Sequence, residues 1–116
     1  MVLIFIPGMN THKEARFVYI TCKDQQEALQ IGRNLVENRL AACANVLDSM
    51  KSLYWWDGKV VEDQECILIA KSTSSHMDAL LAKVQELHSY ELPCVVAMPI
   101  TEGNPEYLQW IQSETT

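Results

Sequence analysis

The sequence predicts an α+β domain whose elements run β-α-β-β-α-β, with one further helix at the C-terminus. Two amphipathic helical stripes, over residues 24–40 and 75–88, bracket a pair of long strand-like segments. Asp57-Gly58 joins those segments as a two-residue hairpin turn, and short apolar runs at residues 16–21 and 94–100 supply the outer strands. That order is the ferredoxin-like arrangement, a sandwich in which two helices cover one face of an antiparallel sheet.

Each element has its own signal. RFVYIT, residues 16–21, alternates and is rich in β-branched and aromatic side chains, which suits a first strand. Asp24-x-x-Glu27 reads as a capping box, after which Ala28, Ile31, Gly32, Leu35, Val36 and Leu40 recur at helical spacing for about four turns. Residues 44–56 and 59–71 read as the hairpin strands. A two-residue loop sets their register, Trp56 facing Lys59, Trp55 facing Val60 and Tyr54 facing Val61. Ser75-x-x-Asp78 offers a cap to a second helix carrying Met77, Leu80, Leu81, Val84 and Leu87 and ending near His88. CVVAMPI, residues 94–100, is almost continuously apolar, the mark of a strand covered on both faces or lying in mid-sheet, with Pro99 at its end. Asn104-Pro105 then supplies an N-cap and a first-turn proline for a short helix with Tyr107, Leu108, Trp110 and Ile111.

Length and charge narrow the function. A chain of 116 residues is one domain, read as an N-terminal extension over residues 1–14 and a folded body over 15–116. VLIFI, residues 2–6, is too short for a signal segment, lacks a basic flank and runs into Pro7-Gly8; Met9 is an alternative start, and a cytoplasmic protein is expected. A net charge of −6 with nine scattered Lys and Arg argues against nucleic-acid and anionic-membrane partners. The four cysteines are too widely spaced for a C-x-x-C site and are expected to be buried free thiols.

The hairpin points to self-association. Its strands span roughly 40 Å at ~3.3 Å per residue, while a helix of about 16 residues covers only about 24 Å. The far half, with Leu53, Tyr54, Trp55, Trp56, Val60 and Val61, would stand in water with an apolar surface. A closed ring of identical chains covers it; a hairpin curled back over its own sheet is the alternative. Burying the two Trp and the Tyr at ~150 to 250 Å² each supplies on the order of 10 kcal/mol of gross driving force.

RLAACAN (residues 39–45), Ser52, Tyr54, Trp56, Gly58 and Lys59, Glu65 followed by Lys71, the set His88, Tyr90, Glu91 and Pro93, and the set Tyr107, Leu108, Trp110 and Ile111 together resemble the CutA, or divalent-cation tolerance, family. The resemblance runs from about Phe17 to Gln112. It implies a ferredoxin-like homotrimer of PII-like architecture, cytoplasmic in bacteria, linked to tolerance of copper and other divalent metals, with no established reaction. The chain departs from the family at Ser89, where a proline is usual, and at Cys94, where a glutamate is common. The family's proposed metal-ligand positions correspond to Ile20, Leu87 and His88, so one of the three keeps a ligand residue.

The candidate chemistry is sparse. His88 is expected to complement the end of its helix, to pack in the core, or to bind copper, zinc or a similar divalent or soft ion together with Cys22, Cys43 or Cys94. His12 lies in the extension, and His76 is expected to be solvated. Glu65 and Lys71 share a strand face six residues apart, in a surface or inter-subunit ion pair or with Lys71 binding a small anion beside Tyr90, Glu91, Tyr107 and Trp110 in a cleft between subunits. No nucleophile motif, phosphate loop or acid–base pair is present, so a non-enzymatic protein is expected. Two functions remain open: a metal-responsive trimer, and a PII-like sensor of a small anion, nucleotide or protein partner.

Overall fold

Eight consecutive residues, Ala15–Cys22 (β1), form one of the two inner strands of the sheet. The structure is a computed structural model that describes residues 14–116; the extension up to residue 13, with His12, lies outside the described residues. The elements that follow are α1 (Gln25–Glu37), β2 (Cys43–Trp56), β3 (Lys59–Thr73), a 3-10 turn (Ser74–His76), α2 (Met77–Leu87), β4 (Val95–Pro99) and α3 (Pro105–Glu114). The strands order as β2-β3-β1-β4, every neighbouring pair antiparallel, as the ferredoxin-like reading requires. Among the described residues no helix is long and apolar enough to cross a membrane.

Alternation divides the sheet into two faces. Val18, Ile20, Cys22, Cys66, Leu68 and Ala70 point toward the helices and are buried against Ala28, Ile31 and Leu35 of α1 and Leu80 and Val84 of α2. The residues between them, including Tyr19, Glu65 and Lys71, point to the opposite, helix-free face. There α3 covers only one end, with Ile111 packed on Ala15 and Ala42.

Asp24 caps α1 by accepting the Glu27 N–H at 2.9 Å. The helix closes earlier than its apolar stripe suggests. Arg39 adopts φ 61°, its N–H donates to Val36 O, and the Leu40 N–H reaches back to Leu35 O at 2.9 Å. This is a Schellman closure with arginine where glycine is usual, and it turns Leu40 back onto the core. Gly32 sits where α1 crosses the sheet: a Cβ there would lie 3.0 Å from Leu68 Cδ1 and 3.2 Å from Ala44 Cβ. Gly32→Val is therefore expected to destabilise the fold by about 1–3 kcal/mol through overpacking, read as a lowered denaturant midpoint with unchanged m-value.

Three expectations are corrected. β4 is an edge strand, exposed from Val96 to Pro99, rather than a mid-sheet one; its continuous apolar run covers an edge and an open face that this chain alone leaves bare. Ser75 does not cap α2, because the 3-10 turn intervenes and the helix starts at Met77 with no side-chain cap bond. His76 is half-buried and its Nδ1 pairs with the Thr73 hydroxyl at 2.7 Å, so it serves that turn rather than solvent.

The hairpin register is as expected, Trp56 opposite Lys59, Trp55 opposite Val60 and Tyr54 opposite Val61. The strands are 14 and 15 residues long against helices of 13 and 11, and the described residues extend 57 × 26 × 25 Å. The hairpin does not curl back: Trp55 is 75% exposed, and Leu53, Trp56 and Val60 are also open to solvent. The sequence reading missed a β-bulge, where Asp48 and Ser49 together oppose Cys66 and Ser49 takes φ 66°. The extra residue exchanges the faces of the outer half of β2. Tyr54, Trp56 and Val61 then fall on the helix-free side, while Leu53, Trp55 and Val60 fall on the side of the helices but beyond their ends.

Candidate functional site

Two ends of the fold meet at His88. It closes α2, its N–H donating to Val84 O at 2.8 Å, and its ring turns inward against the end of β1. Nε2 lies 2.7 Å from Thr21 O, which can only accept, so Nε2 carries the proton. Nδ1 then accepts the Tyr90 N–H at 3.1 Å. The imidazole is thus packed inside the fold, one of its expected roles, and its carbonyl partner belongs to a strand.

Cys22 and Glu27 complete this buried group, with donor atoms of the three side chains within 4.8 Å of one another. The structure brings His88 and Cys22 together as expected, and adds Glu27, which the sequence presented only as half of a capping box. Its carboxylate accepts the Lys23 N–H at 3.0 Å through one oxygen and the Ser89 N–H at 3.0 Å through the other. Burial pulls the Glu27 carboxyl upward, but hydrogen bonds from Ser89 and Lys23, with His88 nearby, outweigh it and hold the group below its ordinary range. Burial, then the Glu27 charge, push the Cys22 thiol up to about 12. The donor types suit a soft or borderline cation. The fit to a resident metal fails as folded, because both imidazole nitrogens and both carboxylate oxygens are already engaged and the thiol keeps its proton.

Cys43 lies elsewhere. It faces Lys71 across β2 and β3, its Sγ 3.7 Å from Lys71 Nζ and 3.6 Å from the Tyr107 hydroxyl. Lys71 Nζ also donates to Asn45 Oδ1 at 3.1 Å and sits 5.8 Å above the Tyr107 ring, which is tilted against Trp110. Among the described residues Lys71 makes no ion pair within the chain, with Glu65 or any other carboxylate. All four cysteines are free; Cys22 and Cys66 are buried as expected, but Cys43 is half-buried and Cys94 exposed.

Within one chain the residues of the expected inter-subunit cleft fall into two groups. Lys71, Tyr107 and Trp110 stand at the α3 end of the helix-free face. Tyr90 and Glu91 stand about 20 Å further along β3, at ~3.3 Å per residue, where the Tyr90 hydroxyl donates to Glu65 at 2.9 Å. There a groove of about 690 Å³ opens between the hairpin and the loop after α2, walled by Tyr19, Tyr54, Trp56 and Tyr90, with Glu65 and Glu91 among its carboxylates. Tyr19 was not among the sequence candidates; only its place on alternate positions of β1 with Phe17 and Thr21 could have marked it.

Residues 16–114 match the family described as CutA1 divalent ion tolerance protein. The "Divalent-cation tolerance protein CutA" of Thermus thermophilus is 46% identical over 98 residues, 84% of this chain and 95% of its own. A solved structure of that description from the same organism superposes with a TM-score of 0.86 at 44% identity, covering 88% of this chain and 99% of the other. The crystal structure of CutA1 from Oryza sativa gives 0.87 at 37% identity, over 91% and 97%. "Protein CutA" of Mus musculus is 41% identical over 96% of this chain, which spans 60% of the mouse protein's length.

Proposed function

The chain belongs to the CutA1 divalent ion tolerance family, and from that premise we propose that it serves divalent-cation tolerance as a cytoplasmic, non-enzymatic homotrimer that takes up copper or a similar cation weakly and reversibly. The observation that carries the reading is the exposed outer hairpin, where Trp55, Trp56, Leu53 and Val60 lie beyond the chain's own helices. The bare edge of β4, with Val96 and Met98 about half exposed, supports it. A ring of copies covers both kinds of surface and leaves no open apolar edge.

The cation is cargo in this reading. Cys22 and His88 are the donors offered to it, with Glu27 beside them, and each must give up a hydrogen bond or a proton before it can bind. Weak binding follows. Titration calorimetry with Cu(II) and Zn(II) is expected to show binding that a Cys22→Ser, His88→Ala variant loses, with affinity rising as pH rises because the thiol must lose its proton. Equal heats for variant and parent at every pH would remove the ligand assignment. The family match favours the cation reading over the PII-like anion reading.

A further inference from the structure

Cys22 and Cys66 stand directly opposite each other where β1 pairs with β3, and both are wholly buried on the side of the sheet that faces the helices. Neither thiol depends on what covers the chain's outer surfaces. The Thr21 N–H donates to Cys94 O on the β4 side, so the N–H and C=O of Cys22, one residue on, are turned to β3 and the two cysteines form a hydrogen-bonded pair. Such pairs hold their Cα atoms about 5.5 Å apart, inside the roughly 4.4 to 6.8 Å that a disulfide spans. Both sulfurs are free as the chain stands. Cys66 Sγ donates to Leu47 O at 3.2 Å, and Cys22 Sγ belongs to the group with Glu27 and His88. Burial pushes each thiol up, that of Cys22 to about 12, so both keep their protons while the core is closed. Reaction therefore waits on a local opening. Cys22 is the last residue of β1 and Cys66 lies opposite the bulge at Asp48 and Ser49, where the ladder is already interrupted.

We infer that Cys22 and Cys66 form a reversible cross-strand disulfide, closed by a small disulfide of the glutathione type, and that closing it withdraws Cys22 from the cation donors. The second half rests on the cation reading above. One cysteine thiolate attacks the small disulfide, forming a mixed disulfide and expelling one thiolate. The other cysteine then attacks the protein sulfur of that mixed bond, closing the S–S bond between the strands and expelling the second. Two electrons pass to the oxidant, and the two protons lost by the cysteines end on the two released thiols. The bonded Cys22 sulfur supplies no thiolate to a cation. Excess thiol runs the same steps backward and restores the donor.

The test uses the full chain, unfolded in urea and diluted into buffers of graded oxidised and reduced glutathione so that exchange proceeds before the core closes. The samples are quenched with acid and digested with trypsin. The two sulfurs fall in separate peptides, residues 17–23 and 60–71, neither of which holds another cysteine. The equilibrium constant for the linked pair of peptides is expected to be about tenfold or more above that of a control kept in urea, since the fold sets the two cysteines face to face. An equal or lower constant in the folded sample overturns the disulfide. Titration with Zn(II), which has no redox chemistry of its own, then compares the linked and the reduced protein. The zinc heat is expected to be lost on linkage and regained after reduction; equal heats overturn the withdrawal of Cys22. Reduced protein that takes up no zinc sinks the cation reading and leaves the disulfide standing, whereas zinc uptake without linkage sinks this inference alone.

Discussion

Replacing Trp55 and Trp56 together with glutamate is expected to reduce the mass measured by light scattering to one third of the parent value, while circular dichroism retains the helix and sheet signal. The two indoles, 75% and 55% exposed in the single chain, make almost no contribution to its own core, so their loss costs the monomer little. In an assembly they bury on the order of 10 kcal/mol of gross apolar driving force together with Tyr54. Two carboxylates per copy placed in that contact would reverse its sign, since buried unpaired charges are strongly unfavourable. A parent protein that is already monomeric at micromolar concentration would overturn the assembly reading. A double variant that stays trimeric would move the contact elsewhere, toward the β4 edge.

Glu27→Ala is expected to destabilise the fold by about 1–3 kcal/mol at pH 7, because it takes the acceptor from two part-buried backbone donors, the Lys23 and Ser89 N–H groups, and leaves a void beside His88. The effect should depend on pH in a defined direction. The folded carboxyl lies below its ordinary value of 4.5, so its stabilisation is fully present above that value and is lost as pH falls through the lower folded value. The gap between parent and variant in urea midpoint is therefore expected to be wide at pH 7 and to narrow progressively below about pH 4. A gap that stays constant down to pH 3 would mean that the carboxylate's charge contributes nothing and that only its volume matters.

Local chemistry made much of the fold legible. Asp24, Asn104-Pro105 and Asp57-Gly58 act within four residues of themselves, and each produced the cap or turn expected of it. What failed depended on partners distant in sequence. The run 94–100 looked like an inner strand because periodicity reports that apolar cover is needed, not which molecule provides it. Glu27 looked like a cap because the Ser89 N–H that claims its second oxygen is 62 residues away. Cys43 and Cys22 were equivalent as thiols in the sequence. Only the pairing of β2 with β3 placed one beside Lys71 and the closure of α2 onto β1 placed the other beside His88. Tyr90 and Lys71 share a face of one chain but stand apart along it, because strand alternation gives the face of a residue and not its position on that face.

The irregularity at Asp48 and Ser49 separates two design problems that a regular ladder would tie together. Inward of it, the alternation of β2 answers to the helices; outward of it, the same strand starts afresh with its own inside and outside. The distal arm can therefore lengthen, shorten or change its greasy residues in steps of one opposed pair without reshuffling the interior. That makes it a part of the molecule free to diverge toward new neighbours while the body that carries it stays fixed.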